Sequence, residues 1–510
     1  MKKRIVLACS IAALTCSVSL CSTQQSISVL IKNWITNKFF AQKTEDEVMA
    51  VEQGLRHTIL IAGDKIQHMT ITERMNYWKT PAVSIAVINK EKLEWVKGYG
   101  KITSNSEAKK IDSNFLFQAA SISKPVTALG VLLLVQQGKL SLDENVNKYL
   151  KSWKVPDNEF TKKEKVTLRR LLSHTAGTNV HGFEGYPEGT SIPSVVEILD
   201  GKNPIVNSDP VRVIHTPGEQ FCYSGGGATI TQLIIEDVTG EKFDTWMKNN
   251  ILIPFGMIAS TFRQPLTQKY SDIAVYGHDS EGMQVDGKWH IYPEMAAAGL
   301  WTTPTDLARF LIAIIRTFHG KQTGPVSQKL IKEALQPQNK SNDFSRGLGF
   351  SLNGTGNEMS FGHDGQNEGF LAKINVWPEL GKGLVIMINN DGARGLIDEI
   401  KNSIADKYGL PGFEPVIKNV TKLDPEVGDK YVGTYRLEEG FSFAVTREHN
   451  NFFVQATGQP KYQIYPESDT DFFFQEVDAQ ISFYKDEDGN VAKLILHIGG
   501  TDLVAEKIEE

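Results

Sequence analysis

The sequence has little cysteine, which limits how the fold can be stabilised. Only four cysteines occur in 510 residues, and three of them, Cys9, Cys16 and Cys21, lie at the extreme N-terminus. Cys222 is then the one cysteine safely within the remaining chain, so that part must be stable without an intramolecular disulfide. We expect Cys222 to be a small buried hydrophobic residue rather than a nucleophile.

Basic tracts and compositionally biased segments are also missing. The formal net charge is −6 at pH 7, and lysine and arginine form no run beyond the first four residues. This argues against nucleic acid as a partner, because phosphate backbones require clustered cations. The chain has 41% hydrophobic and 22% charged residues, as a globular protein does. Its length predicts two or three domains.

Long hydrophobic runs are absent except at the N-terminus. There, MKKR precedes the apolar stretch IVLACSIAALTCSVSL (5–20), which is too short for a comfortable membrane span. A cationic segment followed by such a stretch predicts a secretory signal peptide, which we place at residues 1–22, and a periplasmic or secreted protein. An uncleaved anchor and lipid attachment at Cys21 stay open, although Leu20 is bulkier than a lipid-attachment signal normally tolerates.

The order of predicted elements indicates an α+β domain over residues 44–410. Residues 81–102 read as two strands joined by a turn, and a mainly helical region follows to about residue 350. Strands resume over 361–390 and a helix covers 394–409. A sheet whose strands are this far apart in the chain must be closed by distant segments.

A second, smaller domain is predicted beyond a linker. Residues 411–428 are rich in proline and glycine and have no helical periodicity, as in linkers. Residues 429–510 contain eight short β-rich runs separated by turn signals such as Asp488-Gly489. Eight runs in about 80 residues predict a small antiparallel barrel or sandwich.

One serine and one lysine open a strongly apolar helix, in FQAASISKPVTALGVLLLVQQGKL (117–140). Helical spacing places Ser121 and Lys124 on one face, where an amine can activate a hydroxyl. The start of a helix also supplies N–H groups where an oxyanion would form. Because S-x-x-K also begins at Ser106 and Ser482, the spacing alone is a weak signal. A surface lysine beside a capping serine stays open at this point.

Several further motifs accompany FQAASISK along the chain. They are LLSHTAGT (171–178), TPGEQFCYSGGG (216–227), ILIPFGM (251–257), AAAGLWTTPTDLARF (296–310), GLGF (347–350) and GHDGQNEGF (362–370). With these motifs in this order, the chain over about residues 75–400 resembles the penicillin-recognising serine hydrolases, in the branch of class C β-lactamases, family-VIII-type esterases and D-amino acid peptidases. The resemblance implies a fold with an antiparallel sheet flanked by helices and an all-helical part. The C-terminal segment is similar to the lipocalin-like module of exported relatives.

The resemblance implies a catalytic role for three residues. Ser121 would be the acyl-accepting nucleophile and Lys124 its proton partner. Tyr223 would pass a proton between nucleophile and leaving group, and whether Lys124 or Tyr223 takes the first proton stays open. The motif LLSHTAGT (171–178) places Ser173 next to His174. We expect both residues to be structural and not a nucleophile with its base, because neighbours on a helix point to different faces.

The resemblance also implies which residues line the other side of the cleft. His363 and Gly365 would lie on the strand there, and the backbone N–H groups of Gln366 and Ser121 would hold the oxyanion.

Two departures from the family pattern bear on the substrate. Gly225 replaces an asparagine found in many relatives, and His363 replaces a permanent cation with a group that is mostly neutral at pH 7. Both argue against efficient β-lactam hydrolysis.

We therefore predict an exported serine hydrolase that forms an acyl-enzyme on Ser121. Its substrates would be small esters or peptides, with D-amino acid derivatives and cell-wall fragments among the candidates, and no metal or organic cofactor is implied. Two alternatives stay open: a β-lactamase or penicillin-binding D-Ala-D-Ala peptidase, and a non-catalytic binding protein that retains the fold. We also hypothesise that the C-terminal domain packs over the cleft and restricts substrate size. The oligomeric state is left open.

Overall fold

The computed structural model describes residues 44–105, 107–338, 345–459, 461–477, 479–498 and 501–508. The predicted signal peptide at 1–22, with the lipid-attachment alternative at Cys21, lies outside these residues. No helix among the described residues is long and apolar enough to cross a bilayer. The described residues from 51 onward form one compact unit.

The larger domain contains a sheet of seven antiparallel strands. The strands outside the C-terminal domain are β1 (Ile59–Ile61), β2 (Ala82–Asn89), β3 (Lys92–Gly100), β4 (Phe117–Gln118), β5 (Tyr186–Pro187), β6 (His290–Ile291), β7 (Trp301–Thr302), β8 (Ser345–Arg346), β9 (Ser351–Asn353), β10 (Ser360–Asn367), β11 (Phe370–Trp377), β12 (Lys382–Ile388) and β13 (Val416–Lys418). The order in the sheet is β3-β2-β12-β11-β10-β9-β8, and short two-stranded pairs join β1 with β13, β4 with β7, and β5 with β6. The predicted closure of the sheet by distant segments is confirmed, since β2 pairs with β12 and Ile85 lies opposite Ile386.

Helices cover both faces of this sheet and build a separate helical part. The sequence of β2, AVSIAVIN, is nearly continuous in apolar residues because both of its faces are covered. Two of the longer helices begin at side-chain caps: Ser224 accepts the N–H of Gly227, and Thr303 accepts the N–H of Asp306 before a proline at the first helical position. From residue 71 onward, the described α-helices are α1 (Ile71–Tyr77), α2 (Ser123–Gln136), α3 (Glu159–Lys163), α4 (Leu168–Leu172), α5 (Val195–Asp200), α6 (Gly225–Thr239), α7 (Phe243–Met247), α8 (Gln268–Ser271), α9 (Met295–Ala298), α10 (Pro304–Phe318), α11 (Gln328–Ala334), α12 (Arg394–Tyr408) and α13 (Pro425–Asp429).

Helix α2 lies at the centre of the helical part. All its residues from Ser123 to Leu134 are buried, and it packs against α6 and α9. A helix that is apolar on every side needs neighbours all round, and the large core cluster of the domain supplies them. The first turn of α2 is thereby held rigidly at the junction with the sheet.

The C-terminal domain is a closed barrel of eight antiparallel strands, which confirms the barrel prediction. Aromatic side chains fill its interior, including Phe452, Phe472 and Phe483, and Tyr431 stacks on Phe483 with ring centroids 4.3 Å apart. Its strands are β14 (Gly433–Glu438), β15 (Phe441–Glu448), β16 (Asn451–Ala456), β17 (Lys461–Pro466), β18 (Asp471–Phe474), β19 (Ala479–Lys485), β20 (Val491–Ile498) and β21 (Thr501–Ile508).

The segment predicted as a linker, 411–428, carries local structure that the sequence did not indicate. Within it, β13 runs parallel to β1, with Val416 opposite Ile59. A strand of three residues is too short to show any periodicity. The barrel itself lies against α1 and the start of α12: the rings of Trp78 and Tyr462 are 6.3 Å apart, and a methyl group on Gly395 would come within 3.0 Å of the Glu476 carbonyl oxygen.

Candidate active site

Ser121 lies in a tight turn immediately before α2. A 3-10 turn covers Ala120–Ile122, so the serine precedes the first α-helical residue instead of opening the α-helix itself. Ala120 has φ 47°, a left-handed conformation that is strained for a residue other than glycine. The Ser123 hydroxyl donates to the Ala120 carbonyl at 2.6 Å and accepts the Leu300 N–H at 2.9 Å. These bonds fix the turn and hold the Ser121 hydroxyl at the mouth of a cavity.

Lys124 is buried and contacts Ser121. Its Nζ lies 2.8 Å from Ser121 Oγ and 2.9 Å from the Ala297 carbonyl oxygen of α9. With 6% of the residue exposed, the alternative of a surface lysine beside a capping serine is wrong. Because an unpartnered buried ammonium is costly, these two contacts explain how the chain tolerates a lysine here. They also bring an amine within hydrogen-bond distance of a hydroxyl.

Tyr223 lies beside Lys124. Its ring centroid is 5.0 Å from Lys124 Nζ and 6.1 Å from the His363 ring. The tyrosine directly precedes Ser224, whose hydroxyl caps α6 by accepting the Gly227 N–H at 2.9 Å. No described residue hydrogen-bonds the Tyr223 hydroxyl. The structure therefore brings Ser121, Lys124 and Tyr223 to one place.

His174 also contacts Tyr223, which sequence reasoning missed. The two rings are 4.2 Å apart at an angle of 30°. His174 Nδ1 accepts the Ser224 N–H at 3.2 Å, and its carbonyl accepts the Cys222 N–H at 2.7 Å. A signal was present, since HTAG is one of the motifs behind the family resemblance. The motif alone does not indicate the contact, because His174 and Tyr223 lie far apart in the chain.

The β10 strand forms the far wall of the site. His363 is only 6% exposed, and its Nδ1 lies 2.6 Å from the Asp364 carbonyl oxygen. A carbonyl only accepts, so Nδ1 carries the proton. Burial, followed by the charges of Lys124 and Arg346, lowers the pKa of His363. The imidazole is thus neutral at pH 7, as the sequence analysis expected.

Gly365 allows β10 to approach the Ser121 turn. A Cβ atom at this position would lie 2.3 Å from the Ala119 carbonyl oxygen and 3.2 Å from the Ala120 Cβ. Only glycine fits so close to another backbone. Next to it, the Gln366 side chain accepts a hydrogen bond from Arg394 at 2.7 Å. The strand segment proposed to hold an oxyanion is therefore tied both to the serine turn and to α12.

One cavity of about 630 Å³ is lined by Ser121, Lys124, Tyr223, His363, Gly365 and Gln366. Two permanent cations that the sequence analysis did not consider, Arg346 on β8 and Arg394 on α12, also line it. Both lie outside the motifs that carry the family resemblance, so no local pattern in the sequence indicates that either cation reaches the cavity. The neutral His363 therefore does not leave the cavity without a fixed positive charge.

Gly225 has little room for a larger side chain. A Cβ atom there would lie 3.0 Å from Phe183 Cε2 and 3.2 Å from the His181 carbonyl oxygen. Phe183 occupies space that an asparagine side chain would need.

All described residues that line the cavity lie between Ser121 and Arg394. The hypothesis that the barrel packs over the cleft thus finds no support in the lining.

A buried acid lies at the start of α9, the helix whose Ala297 carbonyl contacts Lys124. Glu294 directly precedes α9, and burial raises its pKa to about 8. Neither of its carboxyl oxygens has a hydrogen-bond partner among the described residues.

Burial also raises the pKa of the half-buried Cys222 thiol. Within the described ranges, no group of three or more His, Cys, Asp or Glu side chains is arranged to hold a metal ion.

The fold and this arrangement are those of a serine hydrolase of the β-lactamase and transpeptidase type. Residues 70–404 match the Beta-lactamase family model, and the chain belongs to the beta-lactamase family. Residues 418–507 match a second family, described as a domain of unknown function (DUF3471), which corresponds to the barrel.

Several known proteins are similar to this chain. Penicillin-binding protein 4* of Bacillus subtilis (strain 168) is 24% identical over 430 residues, which cover 79% of this chain and 90% of that protein. Protein flp of Staphylococcus aureus (strain N315) is 25% identical over 347 residues, 64% of this chain, and this chain covers 63% of its length. The octameric penicillin-binding protein homologue from Pyrococcus abyssi shares the fold, with a TM-score of 0.57 at 21% identity over 85% of this chain and 98% of that one.

Proposed function

We propose that this protein is an exported serine hydrolase that forms an acyl-enzyme on Ser121 and cleaves small esters or peptides, including D-amino acid derivatives. The observation that carries the proposal is the 2.8 Å approach of Lys124 Nζ to Ser121 Oγ within a cavity. A serine needs an adjacent base to act as a nucleophile. No cofactor takes part in the proposed reaction.

The proposed reaction has two halves. Ser121 Oγ attacks the substrate carbonyl carbon while its proton passes to Lys124 or Tyr223, and the backbone N–H groups of Ser121 and Gln366 stabilise the oxyanion. The C–O or C–N bond to the leaving group then breaks, and the leaving group takes the proton. A water molecule attacks the acyl-enzyme in the second half, which releases the acid and returns the proton to Ser121 Oγ.

A second candidate function has its own supporting observation. The guanidinium groups of Arg346 and Arg394 line the cavity, and arginine binds carboxylates in a bidentate way. Substrates with a carboxylate include β-lactams and peptides that end in D-Ala-D-Ala. A β-lactamase or D-Ala-D-Ala peptidase is therefore the alternative, and the similarity to penicillin-binding protein 4* agrees with it.

Pre-steady-state hydrolysis of p-nitrophenyl acetate tests the acyl-enzyme. We expect a burst of p-nitrophenol of about one equivalent, which disappears in Ser121→Ala. A matched control is Ser482→Ala, which removes the other described S-x-x-K serine; Ser482 lies on β19 and donates to Asp471 at 2.6 Å. That variant should keep the burst. A folded wild-type protein that hydrolyses no ester, D-alanyl p-nitroanilide or nitrocefin would support the non-catalytic alternative instead.

Export is part of the proposal and has a separate test. Expression with the native N-terminus should give a mature chain that lacks about 22 residues, the usual length of a signal peptide. Intact mass distinguishes this product from an uncleaved chain and from one that carries lipid on Cys21. The proposed partners are limited to a small-molecule or peptide substrate and, through an uncleaved leader or lipid, a membrane.

A further inference from the structure

We propose that His174 is a positioning residue for Tyr223, which it holds beside Lys124 by contacting the residue before, the residue after and the tyrosine ring itself. This inference rests on the proposed function, because it assigns His174 a part in the chemistry of the same site. It differs from the structural role expected from the sequence, since it predicts a specific coupling to Tyr223.

Three contacts from one residue bracket the tyrosine. The His174 carbonyl accepts the Cys222 N–H at 2.7 Å, and Nδ1 accepts the Ser224 N–H at 3.2 Å. Between these two anchor points, the imidazole face lies 4.2 Å from the Tyr223 ring. His174 thus fixes the backbone on both sides of Tyr223: its carbonyl holds Cys222 and its side chain holds Ser224. A small rotation of this segment would carry the phenol away from Lys124.

The hydrogen bond to Ser224 also fixes the state of the imidazole. An Nδ1 atom that accepts a backbone N–H carries no proton, so the ring is the neutral tautomer with its proton on Nε2. The residue is only 5% exposed. Burial, then the charges of Lys124 and Arg346, lower the pKa of His174 well below its ordinary value. The accepting state is therefore the one present at neutral pH.

The backbone at His174 adopts a left-handed conformation that is strained for a residue with a side chain. Helix α4 ends at Leu172, and Ser173 forms its C-cap. His174 follows with φ 57°, at the position where glycine or asparagine normally ends a helix without steric cost. A histidine here retains the cost of the left-handed conformation, and such strain is typical of functional positions. The strain accompanies the three contacts with residues 222–224.

Two substitutions separate the contributions of His174. His174→Phe keeps a flat ring against Tyr223 but removes the acceptor for the Ser224 N–H. His174→Asn keeps an acceptor near the Nδ1 position and tolerates the left-handed backbone, but it removes the ring. Each is made in the wild-type and Tyr223→Phe backgrounds, and p-nitrophenyl acetate hydrolysis is measured, with the rate of fluorophosphonate labelling where turnover is too slow.

We expect His174→Phe to lower kcat roughly 10- to 100-fold with KM changed by less than about twofold. The reason is that the Ser224 N–H loses its acceptor, so the adjacent Tyr223, which acts in the chemical step, moves from its position. His174→Asn should recover at least part of this loss. In the Tyr223→Phe background, His174→Phe should change the rate less than about threefold, since residues that act as a unit are not additive. Thermal unfolding confirms that each variant is folded.

The same fold-loss in both backgrounds would overturn the inference, and so would a wild-type kcat in His174→Phe. If His174→Phe does not fold, His174→Asn takes its place in the cycle, and its loss must likewise vanish in the Tyr223→Phe background. These outcomes are distinct from failure of the proposed function, which would appear as a folded wild-type protein without labelling or hydrolysis. That result would overturn both proposals.

Discussion

Gly365→Ala is the substitution whose effect the structure predicts most directly. The added methyl group would lie 2.3 Å from the Ala119 carbonyl oxygen. Methyl carbons essentially never approach a heavy atom within 3.0 Å, so β10 or the turn that carries Ser121 must move by at least about 0.7 Å. Both sides of this contact are backbone within a closely packed region, and neither can rotate away as a side chain could.

The expected consequence is a loss of activity larger than the loss of stability. A displacement of about 1 Å between a nucleophile and its oxyanion donors costs on the order of 100-fold in rate. We therefore expect kcat/KM for p-nitrophenyl acetate to fall about 100-fold, while the protein remains folded by thermal unfolding.

A matched control for this substitution is available at the other end of α2. Gly138 also has no side chain, but a methyl group there would meet no atom within 4 Å, and its φ is 71°. Gly138→Ala should cost about 1–2 kcal/mol of stability from backbone strain and leave kcat/KM unchanged. A Gly365→Ala variant with kcat/KM within threefold of the wild type would refute the reasoning about the close approach.

Three further substitutions test the charges around the site. Because the folded pKa of Glu294, about 8, lies above its ordinary value of 4.5, its contribution to stability is fully present below about pH 4.5 and is lost as the pH rises to 8. Wild type should thus lose roughly 3 kcal/mol more unfolding free energy than Glu294→Gln between pH 5 and pH 8 in urea titrations; parallel pH profiles would contradict this. Arg346→Met should raise KM about 10-fold for carboxylate-bearing substrates but not for p-nitrophenyl acetate, and an equal change for both would argue against a carboxylate contact. His363→Lys should lower the unfolding free energy by roughly 2 kcal/mol, since it adds a buried charge beside Lys124 and Arg346; unchanged stability would show that the pocket is more polar than the contacts indicate.

Much of the fold could be predicted because its signals are local or repetitive. The α+β class followed from strand-like runs at both ends of a helical region, and the barrel followed from eight short runs with turn signals. The pairing of β1 with β13 could not be predicted, since three residues carry no period and their partner lies far away in the chain.

The predicted site residues come close together in the structure, but the residues that support them were harder to find. Ser121 and Lys124 are only three residues apart, so one helical turn, 3-10 at Ser121 and α from Ser123, brings them into contact. Arg346 and Arg394 reach the cavity only because β8 and α12 fold toward it, which no local pattern reveals. The contact of His174 with Tyr223 depends on a left-handed residue after α4, a conformation that a histidine does not indicate in advance.

The central claim is that Lys124 makes the Ser121 hydroxyl reactive. Its most direct test is labelling of the wild type, Ser121→Ala and Lys124→Met with a fluorophosphonate, followed by digestion and mass spectrometry of the peptides. The account predicts one adduct, on the peptide that contains Ser121, and a labelling rate roughly 1,000-fold lower in Lys124→Met. An adduct on a different serine, or labelling of Lys124→Met at the wild-type rate, would contradict it.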